Sequence, residues 1–263
     1  MTQGQFEHLC KRLHSLCGIN LKEGKEELVH ARLNKRLNAL NLKSFDQYFK
    51  LIDNDPKGDE IIWMIDALTT NKTSFFREIQ HFDFLRDHIL PGLKKKRLRI
   101  WSAACSSGEE PYSIAILLAE CIPDFRSWDI KILGTDISVG ILKKAHKAVY
   151  TDATLQPIPQ SLRQKYFVPA DPVDGDWKVV PKLRELVTFG RLNFLDPFPM
   201  KGPFDVIFCR NAMIYFDKQT QETLVRRFHD LIAPGGYLLV GHAESLTGAK
   251  HNFKYIAPAT YQK

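Results

Sequence analysis

Residues Arg99 to Ser113, Arg-Ile-Trp-Ser-Ala-Ala-Cys-Ser-Ser-Gly-Glu-Glu-Pro-Tyr-Ser, open as a short apolar strand, pass through small residues and close as a helix start. Pro111 suits a first helical turn. Ile114, Ala115, Leu117, Leu118 and Cys121 continue it with an apolar face of helical period. A strand, a tight turn and a helix N-terminus let a ligand approach the backbone closely. Gly108 is the one glycine in the turn, so by itself the stretch also fits an ordinary structural βα connection.

Downstream the pattern alternates. Leu98–Ser102, Ile130–Gly134, Phe204–Cys209 and Tyr237–Gly241 read as buried strands, and Ile137–Val149 and Gln219–Ile232 as helices. Such alternation predicts an α/β fold with a doubly wound, Rossmann-like sheet and ligands at the carboxyl ends of its strands. It stops between Tyr150 and Thr188, where prolines punctuate short segments. A small antiparallel β insertion of three strands is expected at about 150–188. Residues 1–70 read as all helix, with Val29, Leu33, Leu37 and Leu40 as an apolar stripe flanked by Lys25, Arg32, Lys35 and Arg36. Thr69–Glu78 is polar, then aromatic, then charged, and reads as a junction. The expected division is a basic helical domain over 1–70, a linker and connecting helix over 71–90, and a catalytic domain over 91–263.

The composition, 44% hydrophobic and 25% charged over 263 residues, is that of a soluble globular protein. No apolar run approaches the roughly 20 residues of a membrane span, and the opening Met-Thr-Gln-Gly-Gln lacks a signal-peptide pattern. Five cysteines, odd in number and with no Cys-x-x-Cys pair, point to reduced thiols in the cytoplasm and against a zinc site or a disulfide framework, and no metal is expected. A net charge of +7 favours an acidic partner, either nucleic acid or a carboxylate-rich protein.

Asp136, at the end of the second strand, can accept hydrogen bonds from both ribose hydroxyls of a nucleoside, or cap the helix that follows. The turn after the first strand has no lysine and no glycine run, and Glu109 and Glu110 follow it. Those acids would repel phosphates but suit a cationic nucleoside, so S-adenosylmethionine fits better than a dinucleotide. Glu109 is expected to be only a solvated neighbour of Glu110. Cys105 and Cys209 read as small buried residues.

Three stretches carry a resemblance: Thr69-Thr-Asn-Lys-Thr-Ser-Phe-Phe-Arg-Glu78, Trp101 to Ser113, and Phe208-Cys-Arg-Asn-Ala-Met-Ile-Tyr-Phe216. Together with Gly241-His-Ala-Glu-Ser245, they resemble the chemotaxis receptor methyltransferases, the CheR family, nearly end to end. The resemblance implies a protein-glutamate O-methyltransferase that uses S-adenosylmethionine, gives S-adenosylhomocysteine, and acts on the cytoplasmic methylation helices of chemoreceptors. It implies that Asn71, Thr73 and Arg77 reach the cofactor from the linker. Glu110 would meet its polar end or base, Asp136 its ribose, and Asn193 and Phe194 its adenine. Arg210 and Asn211 would complete the pocket, with Tyr215 near the methyl group.

A glutamate carboxylate, with a pKa of about 4.3, is already ionised at neutral pH and needs no general base to accept a methyl group. It needs placement, for which Arg77 and Tyr215 have suitable donors. Lys25, Arg32, Lys35 and Arg36 are expected to dock an acidic receptor helix. Some family members grip a receptor C-terminal pentapeptide with the small sheet, through a Gly-x-Gly turn. The corresponding stretch Val168–Trp177 has one glycine and two prolines, so a tether-independent enzyme that finds its receptor through the methylation helices alone is expected. A monomer that neither binds nucleic acid nor inserts in a membrane is the expected state. Two other readings stay open: a non-catalytic S-adenosylmethionine-sensing or receptor-binding module, and a nucleic-acid methyltransferase. The second is weakened by Cys209-Arg-Asn-Ala-Met, which lacks the Pro-Pro pair of exocyclic-amine enzymes.

Overall fold

The computed structural model describes residues 1–54, 58–170 and 175–263. Four helices come first: α1 (Gln3–Cys17), α2 (Glu26–Ala39), α3 (Phe45–Asn54) and α4 (Asp59–Leu68). They enclose their own core, where Leu9, Leu13, Leu33, Tyr48, Ile52 and Met64 are fully buried. On α2 the four-residue spacing of Val29, Leu33 and Leu37 puts all three on the buried face.

After the linker comes α5 (Gln80–Phe84), followed by β1 (Arg97–Ala103), α6 (Glu109–Cys121), β2 (Asp129–Asp136) and α7 (Val139–Lys147). A run of short elements follows: β3 (Val149–Tyr150), α8 (Asp152–Leu155), α9 (Gln160–Tyr166), β4 (Phe167–Pro169), β5 (Trp177–Val179) and α10 (Pro181–Arg184). The chain closes with β6 (Val187–Arg191), β7 (Phe204–Cys209), α11 (Lys218–Leu231), β8 (Ile232–Val240), β9 (Lys254–Ala257) and β10 (Thr260–Gln262).

The main sheet has the order β6-β2-β1-β7-β8-β10-β9. Its first five strands are parallel, and β10 and β9 add an antiparallel edge. Helices cover both faces, which is why β1 is buried on both, with Leu98, Ile100 and Trp101 fully enclosed. Strand order reverses between β1 and β7, the switch point where such sheets open a crevice at their carboxyl ends. The Rossmann-like expectation is met, with a helical domain before it and a three-stranded antiparallel sheet, β3-β5-β4, inserted. Val187 and Thr188 belong to the main sheet, paired with Ile132 and Leu133.

Candidate active site

At the switch point lies a cavity of about 490 Å³, roofed by the helical domain and the linker. Asn71, Thr73 and Arg77 enter it from the linker, Glu110 from α6, and Asp136 from the end of β2. Asn193 and Phe194 enter after β6, and Arg210, Asn211 and Tyr215 after β7. Lys25 and Arg32 line its α2 rim, whereas Lys35 and Arg36 lie away from it.

The floor is built by the β1–α6 turn. Ala104 (φ 65°) and Ser106 (φ 50°) take left-handed backbone, and the Cys105 N–H donates to the Thr135 carbonyl at 2.8 Å. Gly108 (φ 96°) ends the turn, where a Cβ would come within 2.9 Å of the Tyr150 hydroxyl. This geometry aims the Ser106 N–H at Asp136 Oδ2 (2.9 Å), while the Ser138 N–H donates to Oδ1 (3.0 Å). Each carboxylate oxygen keeps a lone pair for a ribose hydroxyl. Ser138, not Asp136, caps α7 through its hydroxyl, which accepts from Ile141 N–H at 3.1 Å. Burial pushes the Asp136 carboxyl above its ordinary range, against the pull of its backbone donors.

Arg210, 2% exposed at its side chain, bridges two acids: Glu110 at 3.0 Å and Glu78 at 3.1 Å. Glu110 also accepts from the Ser102 hydroxyl at 2.7 Å. Burial pushes Glu110 up, partly offset by the Arg210 charge. Burial acts the same way on Glu78, but there Arg210, Asn211 and the His242 N–H outweigh it and hold the carboxyl below its usual range. Glu244, also buried, accepts backbone N–H bonds from Gly241 (2.6 Å), Asn211 (2.8 Å) and Ile214 (3.2 Å). It thereby folds the 210–215 loop, and a Cβ at Gly241 would strike Asn211 and Glu244 at 2.6–2.8 Å.

Glu78, His81 and His242 present ligand atoms within 4.8 Å of one another. A cation there would have to displace Arg210 from Glu78, and the guanidinium charge opposes it. The group is better described as an ion-pair network. His81 is neutral, its pKa lowered to about 4 by burial and by the Arg210 charge.

Among the described residues, the Tyr215 hydroxyl makes no side-chain hydrogen bond, and Arg77 makes one, to the Lys72 carbonyl at 2.9 Å. Asn193 is more committed: its Nδ2 donates to the Leu16 carbonyl at 2.7 Å, and its Oδ1 accepts from Leu195 N–H at 3.1 Å. With the Asn20 N–H donating to the Tyr215 carbonyl at 2.8 Å, these bonds lock α1 and its following loop onto the catalytic site.

The basic face of α2 divides. Lys25 and Lys35 are exposed. Arg32 donates to the Leu68 and Thr69 carbonyls (3.1 and 3.2 Å), holding the start of the linker. Arg36 grips Glu60 with two nitrogens (2.9 and 2.6 Å) and lies 4.6 Å over the Trp63 ring. The face therefore has an acid that the α2 sequence does not reveal, because Glu60 arrives from α4. Glu109 also differs from expectation: it is 5% exposed and accepts from the Ser107 hydroxyl at 2.6 Å. Glu78, Glu244, Ser102 and Ser106 were given no role from sequence. The signal that could have found the two glutamates is their place inside stretches that carry the family resemblance, Thr69–Glu78 and Gly241–Ser245.

A switch-point cavity with a buried acid at the end of β2, a β1–α6 turn that carries no lysine and a second acid at the start of α6 is the arrangement of a Rossmann-like methyltransferase. Residues 71–261 match the family description "CheR methyltransferase, SAM binding domain", and residues 4–69 match "CheR methyltransferase, all-alpha domain". A chemotaxis protein methyltransferase of Borreliella burgdorferi is 40% identical, covering 100% of this chain and 95% of that protein. Chemotaxis protein methyltransferase 2 of Pseudomonas aeruginosa is 42% identical over 99% and 93%, and the Escherichia coli chemotaxis protein methyltransferase 36% over 99% and 91%. The chain belongs to the CheR methyltransferase family, and it is an S-adenosylmethionine-dependent protein methyltransferase.

Proposed function

We propose that the protein methylates glutamate side chains on the cytoplasmic helices of chemoreceptors, and that it does so without a receptor C-terminal pentapeptide. The observation that carries this reading is a pair of donors with capacity to spare at the cavity: Tyr215, whose hydroxyl makes no hydrogen bond among the described residues, and Arg77, which spends one N–H on the Lys72 carbonyl. Among the described residues the acids that line the cavity are Asp136 and Glu110: Glu110 is paired with Arg210, and Asp136 is held by two backbone N–H groups and turned to the ribose position, so neither is placed as a general base for the acceptor. An ionised carboxylate acceptor requires none. Bound S-adenosylmethionine supplies an electrophilic sulfonium methyl group. Asp136 would hold the ribose, and Asn71, Thr73, Glu110, Asn193, Phe194, Arg210 and Asn211 would shape the remaining pocket. Arg77 would orient the acceptor carboxylate and Tyr215 would donate to it, while the helical roof excludes water.

The test is labelled methyl transfer to a receptor cytoplasmic fragment, read as alkali-labile ester. A protein that binds cofactor yet leaves every fragment glutamate unlabelled would refute the reading. Tyr215→Phe keeps the packing and removes the hydroxyl, so turnover should drop more than stability does. Wild-type turnover in that variant would return Tyr215 to a packing role.

Docking would rest on the exposed cations. Lys25→Glu with Lys35→Glu should raise the receptor KM severalfold, and the wild-type KM should rise with salt, since exposed charges are screened within about 8 Å at physiological ionic strength. A salt-independent KM would leave this face as solvated surface. Charge reversal at Arg32 or Arg36 would instead disturb the linker or the α2–α4 packing.

Tether independence is supported by Pro169 on β4, an outer strand of the small sheet. Ala170 N–H donates inward to the Asp176 carbonyl at 2.8 Å. Antiparallel alternation then turns the nitrogen of residue 169 towards the free edge, where proline offers no donor to an added strand. Pro172, the other proline of this stretch, lies outside the described residues. Titration with a Trp-containing receptor pentapeptide should give no detectable heat, and micromolar binding would overturn the expectation.

A further inference from the structure

We propose that Glu78 is a positioning residue for Arg77: together with Arg210 it locks a left-handed turn that would otherwise not hold Arg77 at the cavity. The proposal rests on the reading of Arg77 as the acceptor-orienting group. Phe76 (φ 52°) and Glu78 (φ 54°), on either side of Arg77, both have left-handed backbone without being glycine. Such conformations persist only where surrounding structure over-determines them, and they gather at functional sites.

The over-determination is visible bond by bond. Phe75, 1% exposed, packs edge-on against Tyr150 and Phe167, and the Phe76 N–H donates to the Ser113 hydroxyl at 2.9 Å. Arg210 Nη2 donates to the Arg77 carbonyl itself. Glu78 then fastens the far end to two other loops. Its Oε1 accepts from Asn211 Nδ2 at 3.3 Å, and its Oε2 accepts from the His242 N–H at 3.2 Å and pairs with Arg210 at 3.1 Å. Each of these bonds leaves the linker for the loop after β7 or the loop after β8. Glu78 does not line the cavity, so it acts through the turn and not on a ligand.

The experiment is a double-mutant cycle on the full chain with a receptor fragment: Glu78→Gln, Arg77→Ala and the pair. Arg77→Ala should slow turnover, and Glu78→Gln alone should lower kcat about 10- to 100-fold, the scale of a 1 Å misplacement. In the Arg77→Ala background, Glu78→Gln should cost no more than about twofold further. Hydrogen exchange without cofactor should show amides 75–78 less protected in Glu78→Gln than in wild type. Fully multiplicative losses, or unchanged protection of those amides, would overturn the positioning role while leaving Arg77 in place. Wild-type turnover in Arg77→Ala would overturn the reading of Arg77 and this proposal with it. If Glu78→Gln does not fold, Glu78→Asp, which keeps the charge but shortens the reach, runs the same cycle with the same outcomes.

Discussion

Asp136→Ala should weaken S-adenosylmethionine binding at least about tenfold, because two hydrogen bonds from ribose hydroxyls to a charged acceptor would contribute on the order of 2–4 kcal/mol. The loss has two sources. The ribose hydroxyls would lose the acceptor proposed for them, and the Ser106 and Ser138 N–H groups would lose the partner that shapes the turn. Calorimetry on the purified protein measures the effect directly, and unchanged affinity would remove Asp136 from the cofactor site. A pH series adds a second signature. The carboxylate is the form that accepts from a ribose, and burial has raised its pKa above the ordinary 3.8. Affinity should therefore fall, as pH is lowered, earlier than an ordinary aspartate would dictate. An affinity flat down to the ordinary aspartate range would contradict this.

Arg210→Met destabilises the fold by roughly 3–5 kcal/mol, the cost of removing one partner from a buried ion pair. Here two carboxylates, Glu78 and Glu110, would be stranded at once with side-chain exposures of 14% and 11%. The pH dependence has a definite sign. In wild type, the lowered pKa of Glu78 contributes stability above its unfolded pKa that is lost as pH falls through the folded one. In the variant, Glu78 and Glu110 lose the charge that opposed their burial and take up protons at higher pH. The gap in melting temperature between wild type and variant should narrow on acidification. Arg210→Lys should lie between the two, since an ammonium restores charge but cannot fork across both acids and the Arg77 carbonyl. A melting temperature for Arg210→Met equal to wild type at neutral pH would show the network to be energetically idle.

Much of the site was legible because its parts are local. The strand, small turn and helix around Ser102–Ser113 are adjacent in sequence, and their periods of two and 3.6 announce them. Asp136 was legible for the same reason: it ends a strand whose neighbour in the sheet is fixed by βα alternation. The β9–β10 hairpin was not, since Lys254–Ala257 is largely exposed and Thr260–Gln262, though buried at Thr260 and Tyr261, is only three residues long, so neither carries much hydrophobic pattern.

The sequence by itself determined the α/β class, the helical domain before it, the inserted small sheet, and which segments end at the cavity. Hydrophobic period, turn residues and strand-end position are properties of neighbours along the chain. Only the tertiary structure decided how charges are paired. Glu60 meets Arg36 from another helix, Asn193 meets Leu16 across 177 residues, and Glu78 meets Arg210 across 132. A carboxylate's role depends on which donors reach it and how far water is excluded. Those are set by packing between distant segments, so three acidic residues took three different places: Asp136 between two backbone N–H groups at the cavity, Glu110 in a buried ion pair and Glu244 as a loop anchor.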